Sequence, residues 1–206
     1  MKRAWLVLSA LLLAACSKSE PSELTAHPAC NCDAGSPVDP LLLAFLSRAR
    51  AAHHVADDRE SDGDLQASAE PLERLVAGPL PRSGSADLAP EVREVLADTF
   101  ARLADLHSRQ GAFERALEDV QQGLGHARDP NYFRGHLLET EGLVEERHAK
   151  ALEKNGDRAG AAAIRKRAIE LLERAMDMQS GVIERAPHLP SDGNGTGTPT
   201  PAASTK

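Results

Sequence analysis

Between Leu96 and Ala127 (LADTFARLADLHSRQGAFERALEDVQQGLGHA) the apolar positions recur at spacings of three and four. Phe100, Leu103, Ala104 and His107 form one stripe, and Phe113, Ala116, Leu117, Val120, Gly123 and Leu124 form a second. Such spacings place side chains on one face of a helix. The stripes break at Gln110-Gly111. The pattern therefore predicts two amphipathic helices folded back on each other across a tight turn. Small residues at Ala104, Ala116 and Gly123 let their backbones approach closely.

The pattern has companions on both sides. Gly63, Gly111 and Gly156 can be laid over one another at separations of 48 and 45 residues. Seven residues before each stands an alanine (Ala56, Ala104, Ala149), and five after stands a small residue (Ser68, Ala116, Ala161). Six after come Ala69, Leu117 and Ala162; twelve after come Leu75, Gly123 and Ala168. Recurrence of a turn residue together with small positions is the mark of a repeated supersecondary unit. Helix starts agree, with Asp39-Pro40 and Asp129-Pro130 each offering an Asp cap before Pro at the first helical position, and Pro90-Glu91 opening the middle pair. The predicted helices are 40–60 and 64–77, 90–109 and 112–127, 131–154 and 158–185. Pro71 is expected to kink or restart the second, and Gly78 to Ala89 reads as a loop. The last pair is longest. Its Ile164, Ala168, Leu171, Ala175, Met178 and Val182 make a seam of alternating four and three, read as packing on the preceding helix. Glu146–Lys150 and Glu170–Arg174 stand four apart, acid first, as on an exposed helix face.

The central stretch resembles the tetratricopeptide (TPR) repeat. Phe100, Leu103 and Ala104 match the family's bulky, Leu and small positions on the first helix, and Gly111, Phe113, Ala116 and Gly123 match the turn and second helix, with Pro130 beyond. His107 departs where an aromatic or Leu is usual, and His148 and Glu145 depart where the third unit would carry Leu and a bulky residue. The resemblance implies an all-α fold, a short α-solenoid of about three antiparallel helix pairs with the last pair elongated. It also implies a binding surface lined by the first helix of each pair. In the central unit that surface comprises Asp98, Ala101, Asp105, Ser108 and Arg109. These residues lack the Lys and Asn with which such repeats clamp a C-terminal carboxylate, so a basic or mixed peptide, or a helix of another protein, is the expected partner.

Composition narrows the picture without changing it. Aromatics make up 3% of 206 residues, so the core is expected to be Leu, Ala and Val, which suits helical hairpins better than a sandwich or barrel. The net charge of −7 argues against a nucleic-acid partner.

The N-terminus adds a location. MKRAWLVLSALLLAAC has a basic start at Lys2 and Arg3, and then an apolar run too short to span a bilayer. It closes on Leu13-Ala14-Ala15-Cys16, which resembles the bacterial lipobox. That resemblance implies cleavage before Cys16 and its lipidation. With buried methylenes worth about 0.8 kcal/mol each, several acyl chains anchor stably. Loss of Lys2 and Arg3 with the leader would take the net charge from −7 to −9. Ser17 after the cysteine resembles lipoproteins sorted to the outer membrane, facing the periplasm. The expected organisation is a signal peptide over 1–15, a flexible tether over 16–38, a helical domain over 39–186 and a disordered, low-complexity tail over 187–206. The tether contains Cys30 and Cys32, readable as a disulfide or as a redox or soft-metal pair.

No catalytic constellation emerges. HExxH, the Walker loop, GxGxxG and GxSxG are all absent. A di-iron bundle needs two Glu-x-x-His steps, and the chain has one, Glu145 to His148. Adjacent His53 and His54 point to different helix faces, a poor arrangement for chelation. The expectation is a non-catalytic, membrane-anchored protein–protein interaction module of the bacterial cell envelope, without a metal or cofactor. The alternatives are an accessory factor in assembly of an outer-membrane machine, or a metal or redox protein using Cys30 and Cys32.

Overall fold

The computed structural model describes residues 39–82 and 87–185. The chain divides into two units, Met1–Pro37 and Val38–Lys206, and every described residue belongs to the second. The expected leader, tether and tail, with Cys16, Cys30 and Cys32, lie outside the described residues.

Six helices occupy the described residues: α1 (Pro40–Ser61), α2 (Leu65–Val76), α3 (Pro90–Arg109), α4 (Phe113–His126), α5 (Tyr132–Lys154) and α6 (Arg158–Arg185). No strand occurs among the described residues. The fold is all-α, and each helix end falls within one residue of its predicted position. Consecutive helices pack as α1 with α2, α3 with α4 and α5 with α6; in addition α3 packs on both α1 and α2, and α5 on both α3 and α4.

The three short turns share one hydrogen-bonding scheme. Gly63, Gly111 and Gly156 adopt φ of 83°, 82° and 90°. Each donates its N–H to the carbonyl three residues back (Glu60, Ser108, Glu153). The following residue (Asp64, Ala112, Asp157) donates to the carbonyl five back (Arg59, His107, Leu152). This is the Schellman motif, which satisfies the last carbonyls of a helix and requires the left-handed conformation that glycine adopts at no steric cost. The residue after each Gly is the junction with the next helix. Asp64 and Asp157 cap that helix, accepting from the amides of Ala67 (2.9 Å) and Gly160 (2.8 Å). Ala112 has no side chain to do so.

Other starts follow the sequence with one correction. Asp39 caps α1 by accepting from Leu41 N at 2.8 Å, with Pro40 next. The helix α5 is capped by Asn131, which accepts from Arg134 N at 2.9 Å, and not by Asp129. Asp129-Pro130 therefore precedes the helix. Asn131 wins because its extended φ of −143° lets the short side chain turn back onto the first amides.

Pro71 sits within α2, yet the helix runs uninterrupted from Leu65 to Val76 and does not restart. A proline here deprives the carbonyl four residues earlier, that of Ala67, of its intrahelical donor. The Arg59 guanidinium supplies one instead, 2.6 Å from Ala67 O. A hydrogen bond from α1 thus makes the proline tolerable, and Pro71 itself is buried.

The laid-over positions of the sequence are core positions. Ala56, Ala104 and Ala149 are fully buried, as are Ser68, Ala116 and Ala161 five residues after each glycine. At six after, Ala69 is buried, Leu117 half-buried and Ala162 exposed, so that register position is shared only in part. The α6 seam packs on α5 as expected: Leu171 and Ala175 cluster with Leu138, and Met178 lies against them. Close approach is built in, since a Cβ at Gly142 would lie 2.8 Å from Leu172 Cγ. On the α5–α6 surface Glu146 pairs with Lys150 at 2.7 Å. Glu170 turns to Lys166 at 3.9 Å instead of to Arg174, which corrects the second expected pair.

Candidate functional site: the face of the first helices

The residues expected to line a binding surface all lie on α3, and the structure divides them. Ala101 is 2% exposed, packed with Ala97, Ala127 and Leu137 under α5. Ser108 is 3% exposed; its hydroxyl donates to Asp105 O and accepts from Arg147 Nη1, each at 2.8 Å. Both face inward, because α5 covers this side of α3. Asp98 and Asp105 are half-buried and Arg109 is exposed.

Toward the turn end of the first helices, charges form a closed lattice. Glu60 of α1 accepts from Arg102 and Arg109 of α3. Asp57 accepts from Arg102 at 3.0 Å. Asp105 lies 3.5 Å from Arg109 and 2.8 Å from Arg147 of α5. The Arg109 guanidinium holds the Glu60 carboxyl below its ordinary range. Here α1, α3 and α5 are joined by charge-assisted bonds, and the basic groups already have carboxylate partners.

Toward the linker end the same face opens into a groove of about 530 Å³, lined by Leu46, Ala49, Arg50, His53, Glu91, Glu94, Val95, Asp98 and Phe133. The α1 wall supplies Leu46, Ala49, Arg50 and His53. The α3 wall supplies Glu91, Glu94, Val95 and Asp98, and Phe133 at the start of α5 completes it. His53 Nε2 lies 3.0 Å from Thr99 Oγ1. That hydroxyl gives its single hydrogen to Val95 O at 2.7 Å, so the ring nitrogen is the donor and Nδ1 is left as an acceptor. Burial pushes the His53 pKa below its ordinary value, against the opposing pull of Asp98 and Asp57. The imidazole is therefore neutral near pH 7.

Only Asp98 of this groove was expected from the sequence. The missed signal was spacing: Glu91, Glu94 and Asp98 stand at i, i+3 and i+7, one face of α3. Leu46, Arg50 and His53 stand at i, i+4 and i+7, which likewise shares one face of α1. Phe133 had no such signal, since its place depends on how α5 packs on α3.

The remaining sequence candidates are absorbed by packing. His107, the departure from the repeat pattern, is 2% exposed; Nδ1 lies 2.6 Å from Asp119 of α4 and Nε2 3.3 Å from Glu73 of α2. A polar ring thus ties three helices where an apolar one would only fill space. Glu145 is 2% exposed and is held, with Glu141, by the Arg167 guanidinium at 3.2 and 3.1 Å. His148, the other end of the Glu-x-x-His step, stacks on Phe113 with ring centroids 4.6 Å apart. Among the described residues no group of three or more His, Cys, Asp or Glu side chains is placed to hold a metal ion. No described helix is long and apolar enough to cross a membrane.

Comparison of the chain with protein-family models, with curated proteins and with solved structures found no match.

Proposed function

We propose that this chain is a lipid-anchored interaction module of the bacterial cell envelope: a short solenoid of three TPR-like hairpins, non-catalytic, tethered through Cys16 and presenting the face of α1, α3 and α5 to another envelope protein or peptide. The observation that carries the reading is the threefold recurrence of one turn with the same buried small positions around it. Supporting it, the first helix of each later hairpin packs on both helices of the hairpin before. That arrangement is how stacked repeats bury a continuous core. It leaves the first-helix face uncovered where the groove opens. The lipidation and envelope location rest on the leader and its Leu13-Ala14-Ala15-Cys16 ending.

Metabolic labelling with an alkyne fatty acid in a bacterial host tests the anchor. The intact chain takes up label and sediments with membranes, and Cys16→Ser abolishes both. An unlabelled chain overturns the anchored reading. For the interaction itself, a photocrosslinking residue at Arg109, whose side chain is exposed on this face, captures a discrete partner in intact cells, whereas the same probe at exposed Glu173 on α6 does not.

A further inference from the structure

The three carboxylates of the α3 wall have no salt-bridge partner among the described residues, although Asp57, Glu60 and Asp105, further along the same face, are all held by arginines. Arg50 on the opposite wall is likewise unpaired with them. The groove thus combines three fixed negative charges, one positive charge, a neutral imidazole and an apolar floor of Leu46, Ala49, Val95 and Phe133. Like charges along one helix face repel, at i, i+3 and i+4 spacing most of all. A ligand that brings positive charge relieves that repulsion, and an apolar side chain gains by leaving water over the floor.

Geometry limits the form of the ligand. At 1.5 Å rise per residue the row from Glu91 to Asp98 is about 10.5 Å long. Extended chain advances about 3.3 Å per residue with alternate side chains on the same side. The first and third residues of such a segment lie about 6.6 Å apart, within the length of the row, so both can face the carboxylates while the middle one faces away.

Resting on the interaction-module reading above, we infer that the α1–α3 groove binds an extended basic–apolar–basic segment of a partner polypeptide, its cationic side chains along Glu91, Glu94 and Asp98 and its apolar side chain on the floor beside Phe133. The tails of this chain do not fit that description: the segment 187–206 carries one basic residue, Lys206, and 17–38 carries one, Lys18. At the turn end the arginines neutralise Asp57, Glu60 and Asp105, so the uncompensated negative charge that draws a cationic segment lies at the linker end.

The test uses the full-length protein in detergent micelles, titrated by fluorescence anisotropy with two end-blocked nonapeptides. One has an Arg-Leu-Arg core and the other a Glu-Leu-Glu core, both flanked by Gly and Ser. The Arg-Leu-Arg peptide binds at least tenfold tighter than its acidic counterpart, and added salt weakens it. Glu94→Lys, an exposed position, weakens it about tenfold. Phe133→Ala weakens it several-fold with the salt dependence unchanged. Glu173→Lys on α6 leaves it unaltered, and unchanged helical circular dichroism verifies folding. Equal binding of the two peptides, or indifference to both Glu94→Lys and Phe133→Ala, overturns the proposal. A photocrosslinking residue in cells separates it from its parent reading. Capture at Arg109 but not at Glu94 overturns the groove assignment alone, and silence at both positions overturns both. Capture at Glu94 supports the assignment when the crosslinked peptide carries basic residues at alternate positions, and any other sequence overturns it.

Discussion

The two places where successive hairpins meet are built from different materials. Where α3 meets α1 and α2, the α3 side is large: Val92 and Leu96 pack with Phe45, Leu75 and Ala49 in one cluster, and Leu103 and Leu106 with Leu72, Ala56 and Ala69 in another. Where α5 meets α3 and α4, the contacts are small: Ala97, Ala101 and Ala127 around Leu137, and Ala104, Ala116 and Val120 around Val144. The chain between hairpins differs to match, residues 77–89 in the first case and 127–131 in the second. Interaxial distance follows the size of the side chains at the contact. Alanines draw α5 onto α3 and bury that side of it, whereas leucines and a long connection leave room between α1 and α3. The groove lies on the side with the large residues. Helix pairs with the same turn geometry thus meet at one sealed joint and one open one, and the two joints differ in residue size.

Removing bulk from the first joint gives the largest effect. Leu106, fully buried among Leu72 and Leu103, should cost about 2–5 kcal/mol when changed to Ala, because the surrounding helices collapse only partly into the cavity. Denaturant unfolding measures it. Adding bulk to the second joint comes next: Ala101→Leu should cost about 1–3 kcal/mol by overpacking against Leu137. The contrast inverts if joint size is not what matters. Equal cost of Ala101→Leu and of Ala49→Leu, the matched addition of bulk at the first joint, would remove the distinction.

A smaller effect tests whether the two joints communicate. Asp105 touches Arg102, which binds α1 through Glu60 and Asp57, and also Arg147 of α5. Arg147→Ala removes bonds to Asp105 and to the buried Ser108 hydroxyl, and should cost about 1 kcal/mol, the range for partly exposed charge-assisted bonds. Groups sharing one partner are not independent. The double variant Arg102→Ala with Arg147→Ala should therefore depart from the sum of the singles by about 0.5 kcal/mol or more. Strict additivity would mean that Asp105 does not couple the joints.

Much of this was legible in the chain. The turns declared themselves through Gly63, Gly111 and Gly156, since a left-handed residue at a helix end leaves few alternatives, and the stripes of α3 and α4 gave their buried faces. Four features were not legible, for one physical reason: each depends on a residue distant in sequence. Pro71 looked like a breaker because nothing local supplies Ala67 O, and the donor, Arg59, comes from the preceding helix. Glu145 and His107 looked like misfits in a repeat, yet Arg167 and the Asp119–Glu73 pair make them core residues. Ala101 and Ser108 followed from the family resemblance as surface residues, but α5 lies over them. The opening of the groove, and the place of Phe133 in it, depend on the spacing between helices, which no local pattern encodes, whereas the row of Glu91, Glu94 and Asp98 is written in the chain at i, i+3 and i+7.

The smallest expected effect concerns the middle hairpin, which belongs to both joints. Its turn matches the other two in glycine conformation and in both Schellman bonds, but Ala112 stands where Asp64 and Asp157 cap the next helix. The backbone there has φ −86° and ψ 63°, close to the −91° and 82° of Asp64. A carboxylate at this position can therefore reach the amide of Arg115, as Asp64 reaches that of Ala67, without rearranging the turn. It would also sit favourably at the positive end of the α4 dipole. Capping substitutions of this kind contribute about 0.5–2 kcal/mol, with exposed turns toward the lower end. Ala112→Asp should thus raise stability by about 0.5–1 kcal/mol and shift thermal unfolding upward by a few degrees, and most of the gain should vanish when the new carboxyl is protonated near pH 3. A neutral or destabilising result would mean that the three turns, alike in backbone, are not equivalent in what they can accept. The repeat would then be shallower than its hydrogen bonds suggest.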